Sequence, residues 1–165
     1  MRARETAAWA GSCAIPQRAA AGRRLAAAAQ PWLEATLVVN HGTNNAGEGC
    51  RNVWVCCVRV FPGSFAINLG CKSSDLALHF NPRFNESVIV CNSLCSDNWQ
   101  QEQRDKHFNF YKGSTVKIIV EFLGDKFLVK LPDGHEVEFP NRHGYDKISY
   151  LNILGGFKVT SFKVE

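Results

Sequence analysis

From Ser64 to the C-terminus, short apolar-rich runs recur about once every ten residues, separated by turn-forming residues. The segments are FAINLG, DLALHFN, ESVIVCN, KHFNFY, TVKIIVEFL, KFLVKLP, HEVEFP, ISYLNIL and GFKVTSFKVE. In TVKIIVEF, Val116, Ile118, Val120 and Phe122 fall on one face, with Lys117 and Glu121 opposite. Phe127, Val129 and Leu131 repeat that alternation in KFLVKL, which is the signature of a half-buried strand. LGDK (123–126) and PDGH (132–135) are turn sequences, so these runs read as an antiparallel meander. No segment of 3.6-residue period interrupts them. The pattern predicts an all-β body built as two packed antiparallel sheets.

Upstream the pattern changes. Residues 37–63 are transitional: LVV at 37–39, a Gly/Asn-rich loop at 40–49, then VWVCCVRVFPG. Val53, Val55, Val58 and Val60 with Trp54 favour an extended, buried strand in that last run. Residues 1–36 are Ala/Arg-rich, and GRRLAAAAQPWLE supports a helix only as far as Pro31. This zone reads as a disordered or loosely helical arm, with an Arg-rich transit peptide as the alternative. The chain therefore divides into an arm (1–36), an atypical N-terminal portion of the sandwich (37–63) and a β domain (64–165).

Charge narrows the partners. The net charge of +4 is uneven: residues 1–36 carry five Arg against Glu5 and Glu34. The remainder is close to neutral, which argues against a surface that tracks nucleic-acid phosphates. The absence of a run of about eighteen apolar residues argues against insertion in a membrane. Seven cysteines at irregular spacing, with no compact apolar signal segment ahead of them, read as free thiols in a reducing compartment. Cys91 and Cys95 have no second ligand pair at zinc-finger spacing, so neither a metal nor another cofactor is expected.

The candidate chemistry lies in LHFNPRF and the two segments immediately C-terminal to it. His79, Asn81 and Arg83 occupy alternate positions of one strand and point the same way, while Leu76, Leu78 and Phe80 anchor the other face. A short turn at Phe84–Asn85 returns the chain through Val88, Ile89 and Val90, which brings Asn92 near the same polar face. NWQQEQR then adds Trp99, Glu102 and Arg104. Taken singly, each of these is an ordinary solvated strand residue or a packing aromatic. Together, Arg83, Glu102 and Arg104 form a charge-assisted network, His79 and Asn81 supply directional hydrogen bonds, and Trp99 supplies a flat apolar plate. A sugar, with one C–H face and a hydroxyl edge, matches that mixture. A hydroxyl of the wrong orientation would leave buried polar groups unpaired, at roughly 1–3 kcal/mol each.

Hydrolysis of the sugar is the competing reading. Glu102 would be the acid, but glycoside hydrolases need a second carboxyl about 5–9.5 Å away. Asp97 lies in the loop before Trp99, and Asp105 has the opposite strand parity to Glu102. Cys91 is no better as a nucleophile, because it points to the core side of its strand.

FAINLG, LHFNPRF, IVCNS, the W-x-x-E-x-R spacing of WQQEQR, VKLPDGHEVEFPNR and the closing GGFKVTSFKVE resemble, in order, the signatures of the galectins, the β-galactoside-binding lectins. The resemblance runs from about Phe65 to Glu165 and is to the single-domain, prototype type. It implies a jelly-roll, concanavalin-like sandwich and non-catalytic binding of lactose- or N-acetyllactosamine-like glycans without a metal. By resemblance, His79, Asn81 and Arg83 contact the axial 4-hydroxyl of galactose. Asn92 and Glu102 hold the 6-hydroxyl, Trp99 stacks on the apolar face, and Arg83, Glu102 and Arg104 reach the second sugar. It further implies β-galactoside-bearing glycoproteins or glycolipids as partners, cross-linked by a homodimer. A cytoplasmic location with signal-peptide-independent export to the cell exterior is also implied. Two features depart from the family pattern. Gln100 follows Trp99 where galectins usually have Gly, and residues 1–63 lack the G-S-x-L-x-V-x-G-like pattern of the usual first strands. The second departure leaves open a galectin-like interaction module that does not bind sugar.

Overall fold

The computed structural model describes residues 35–38 and 52–164. Among them every regular element is a β-strand: β1 (Ala35–Val38), β2 (Asn52–Lys72), β3 (Asp75–Arg83), β4 (Val88–Cys95), β5 (Asn98–Trp99), β6 (Gln103–Asp105), β7 (Thr115–Phe122), β8 (Lys126–Lys130), β9 (Glu136–Pro140) and β10 (Tyr150–Val164). All pairings are antiparallel.

Two long strands organise the sandwich. The second half of β2 lies between the first half of β10 and β3, with Leu69 opposite Leu151 on one side and Leu78 on the other. Its first half lies between the second half of β10 and β7, with Val58 opposite Val159 and Val116. One layer is therefore β1–β10–β2–β3–β4, with β5 and β6 both on β4, and the other is β10–β2–β7–β8–β9. Both long strands turn the corner between layers near Phe61–Ser64 and Gly155. Gly155 has φ of +107°, and the β10 register shifts between Gly155 and Phe157. A local bulge of this kind lets a strand bend without ending.

The inward positions are those the alternation predicts. Val116, Ile118, Val120 and Phe122 of β7 and Phe127 and Val129 of β8 are buried, in one core with Leu78 and Phe80 of β3 and Ile89 and Cys91 of β4. The run VWVCCVRV is a buried strand as expected, with Trp54, Cys56, Val58 and Val60 inside. Its fusion with FAINLG into the single strand β2 was not expected, nor was the fusion of ISYLNIL with GFKVTSFKVE into β10.

KHFNFY, expected as a strand, is not one. It crosses from β6 in one layer to β7 in the other and joins no ladder. Its alternating aromatics instead fill one end of the sandwich. Phe108 packs edge-on against Phe84 at 5.1 Å, and Phe110 packs against Phe65 at 5.8 Å. β1 overlaps the LVV segment and pairs with β10, while the rest of the expected arm and the loop at 40–49 lie outside the described residues.

Candidate functional site

β3, β4, β5 and β6 bring the predicted residues together on the outer face of the first layer. The short turn after Arg83 sets the register: Arg83 opposes Val88, Asn81 opposes Val90 and His79 opposes Asn92. β5 then pairs Trp99 with Leu94, and β6 pairs Arg104 with Val90. The result is a cleft of ≈ 410 Å³ lined by His79, Arg83, Asn92, Trp99, Gln100 and Glu102. Trp99 is 54% exposed and meets the His79 ring at 4.8 Å with a 61° interplanar angle, so one indole face is open to a ligand.

The polar wall is held by reciprocal hydrogen bonds. Asn81 donates from Nδ2 to the Phe65 carbonyl at 2.6 Å and accepts from Arg83 Nε at 2.9 Å, which fixes the base of the guanidinium. Arg83 Nη2 donates to Glu102 Oε1 at 2.7 Å, and Arg104 Nη1 donates to Glu102 Oε2 at 2.6 Å. Glu86, in the β3–β4 turn, closes the ring by accepting from Arg104 and, at 3.4 Å, from Arg83. The Arg104 and Arg83 donors hold the Glu102 carboxyl below the usual carboxylate range. Glu102 is therefore anionic at neutral pH, the opposite of what a general acid for glycoside cleavage requires. Asp105 is engaged elsewhere, accepting from His135 Nε2 at 2.7 Å.

Asn92 is 4% exposed and equally constrained. Its Nδ2 donates to the Gln100 carbonyl at 2.9 Å, and its Oδ1 accepts from the Ser93 amide at 2.8 Å. Arg142 clamps the same corner, donating to the Gln101 carbonyl at 2.7 Å with its guanidinium 4.6 Å from the centre of the Phe139 ring. Burial, followed by the positive charge of Arg83, lowers the His79 pKa to about 4. The ring is neutral at physiological pH.

All seven sequence-predicted residues converge, but not on one surface. His79, Arg83, Asn92, Trp99 and Glu102 line the cleft, whereas Asn81 and Arg104 act on the liners from outside it. Sequence reasoning missed Glu86, Arg142 and the two asparagines behind His79, Asn68 and Asn152. Glu86 carried a signal, the i,i+3 spacing from Arg83 across a turn. Among the described residues no group of three or more His, Cys, Asp or Glu is arranged to hold a metal. Cys56, Cys57, Cys91 and Cys95 are free thiols, and burial pushes Cys56 and Cys91 up to about 12, so neither of those two is a reactive thiolate.

Comparison with known proteins agrees with the geometry. The profile of the galactoside-binding lectins matches residues 41–164. Human galectin-2 is 59% identical over 101 residues, which is 61% of this chain and 76% of the relative. Goat (Capra hircus) galectin-1 is 47% identical over 100 residues, 58% of this chain and 74% of the relative. Among solved structures, chicken galectin 2 matches with 88% identity and a TM-score of 0.68, covering 69% of this chain and 89% of that one. CG-16, a homodimeric agglutinin from chicken liver, matches with 39% identity and a TM-score of 0.65, covering 70% and 90%. Strand register, the polar wall beside an open indole and these matches lead to one conclusion: the chain belongs to the galactoside-binding lectins, the galectin family.

Proposed function

We propose that the cleft binds the galactose ring of β-galactosides such as lactose, without catalysis. The observation that carries this reading is the pairing of an open indole face with a wall whose hydrogen-bonding groups are already fixed. Trp99 takes the C–H face of the ring. His79 and Arg83, the latter oriented by Asn81, meet the axial 4-hydroxyl, and Asn92 and Glu102 meet the 6-hydroxyl. Arg83, Glu102 and Arg104 extend the polar surface toward the second sugar. Because the wall is ordered by its own ion pairs, little ordering entropy remains to be lost on binding.

The partners in this reading are glycoproteins or glycolipids that end in β-galactosides, cross-linked by a homodimer. The homodimeric CG-16 agglutinin supports that assembly. A cytoplasmic protein also exported by a signal-peptide-independent route fits the family. Retention on immobilised lactose, release by free lactose and indifference to chelator are the expected results. Folded protein that passes through the column would overturn sugar binding and leave a galectin-like interaction module in its place. Light scattering coupled to size exclusion tests the dimer.

A further inference from the structure

From the cleft residue His79, a row of three residues runs across adjacent strands, and its other two members lie outside the cleft lining. Asn152 on β10 is the register partner of Asn68 on β2, and Asn68 is the register partner of His79 on β3. Asn152 is 1% exposed and Asn68 4%. Asn68 Nδ2 donates to Asn152 Oδ1 at 3.2 Å, and Asn68 Oδ1 lies 2.6 Å from His79 Nδ1.

We propose that Asn152 and Asn68 are positioning residues that lock His79 in its Nδ1–H tautomer, so that Nε2 meets the cleft as a hydrogen-bond acceptor. An amide oxygen only accepts, so a nitrogen 2.6 Å from Asn68 Oδ1 carries the proton. A neutral imidazole protonated on Nδ1 has its lone pair on Nε2. Asn68 by itself does not decide the matter, because its amide presents a donor and an acceptor of similar shape. A flipped Asn68 would hold His79 in the other tautomer. Asn152 ties that choice to its own orientation, in which Oδ1 faces Asn68 Nδ2. Flipping Asn68 alone would then set two carbonyl oxygens against each other at a buried position, and an unpaired buried polar group is strongly disfavoured. The choice made on β10 is thus transmitted through β2 to the cleft on β3.

The consequence for ligand choice rests on the reading of the cleft as the galactose site. An Nε2 acceptor requires a ligand hydroxyl that donates there. A group that only accepts, such as fluorine in place of the 4-hydroxyl, faces lone pair against lone pair. The row thereby adds a condition on the ligand proton to the condition on hydroxyl orientation set by Arg83.

Long-range proton–nitrogen correlation spectra of the full chain, with and without lactose, read the tautomer directly. The wild type should show His79 with protonated Nδ1 and unprotonated Nε2 at neutral pH. Asn152→Ala should show a mixture of the two tautomers. It should also bind lactose more weakly in proportion to the lost fraction of the competent tautomer, about twofold for an even mixture, and narrow the gap between lactose and its 4′-deoxy-4′-fluoro analogue. Asn152→Asp, which keeps an oxygen at that position, should retain the wild-type tautomer and serves as the second variant where Asn152→Ala does not fold. An Nε2–H tautomer in the wild type, or an unchanged tautomer in folded Asn152→Ala, would overturn the proposal. Because the spectra need no ligand, a protein that fails to bind lactose sinks the sugar reading while the tautomer is still decided.

Discussion

Glu86 in the β3–β4 turn and Arg104 on β6 are joined by an ion pair, although they are eighteen residues apart and neither lines the cleft. The pair closes a ring in which two carboxylates and two guanidiniums fix one another's directions, with Glu102 receiving both arginines. The ring is partly exposed, so its contribution to stability is small and its effect is on orientation. Glu86→Ala should lower lactose affinity about two- to fivefold and leave the unfolding midpoint nearly unchanged. Glu102→Ala leaves both arginines short of a partner and removes a cleft wall, so lactose titration should show no binding. Equal losses in the two variants would mean that the ring does not distinguish wall from brace.

Trp99 is the most exposed residue of the cleft's apolar surface, and its ring touches His79 rather than the core. Trp99→Ala should therefore abolish retention on immobilised lactose while changing the unfolding free energy by less than about 0.5 kcal/mol. Thermal melts beside the column assay separate the two effects. A variant that still binds would assign the apolar face of the sugar to another residue.

The parts of this site that were legible in the sequence are those fixed by strand parity and a short turn. HFNPRF states its polar face through alternation, and the brevity of the turn before Val88 puts Asn92 opposite His79. Asn68 shows no such signal. It stands inside FAINLG, where it reads as a strand residue of either face, and its partner Asn152 is eighty-four residues away. Long-range register of that kind depends on how β10 lies against β2, which no local pattern encodes. KHFNFY misleads for a related reason. Alternating aromatics satisfy a ladder or a sandwich end equally well, and here Phe84 and Phe65 claim them. The Pro-Gly step at 62–63 reads as a strand end, yet β2 runs through it, because a corner between layers tolerates the missing amide donor.

Binding should respond to acid through His79. Its pKa in the folded protein is lowered from the ordinary 6.5 to about 4, first by burial and then by Arg83. The folded state takes up this proton less readily than the unfolded chain. Its contribution to stability is whole above about 6.5 and is lost progressively as pH falls toward 4. Lactose affinity should stay level from pH 8 to about 5, then fall toward tenfold per unit once pH drops below the folded value. Calorimetric titration across that range, with circular dichroism to confirm folded protein, reads the effect. A midpoint near 6.5 would mean that His79 is solvated rather than buried.

Gly155 connects the corner of the sandwich to the sugar wall. Its φ is +107°, and a Cβ placed there would stand 2.3 Å from the Ser64 carbonyl oxygen and 2.8 Å from the Phe65 Cα. Both neighbours are backbone, so relief requires β2 to move at its bend. The Phe65 carbonyl is the acceptor that anchors Asn81, which in turn holds Arg83. Gly155→Ala should therefore cost about 2–4 kcal/mol of stability and also weaken lactose binding, although residue 155 lies outside the cleft. Gly134 provides the control. It has φ of +87° in the β8–β9 turn, but nothing lies within 4 Å of its added Cβ. Gly134→Ala should cost only the conformational penalty of about 1 kcal/mol and leave lactose affinity unchanged. Urea unfolding and lactose titration of the two variants, side by side, check both outcomes. If Gly155→Ala loses stability but binds lactose as the wild type does, the path from the Phe65 carbonyl through Asn81 to Arg83 is too compliant to carry the corner's displacement into the site.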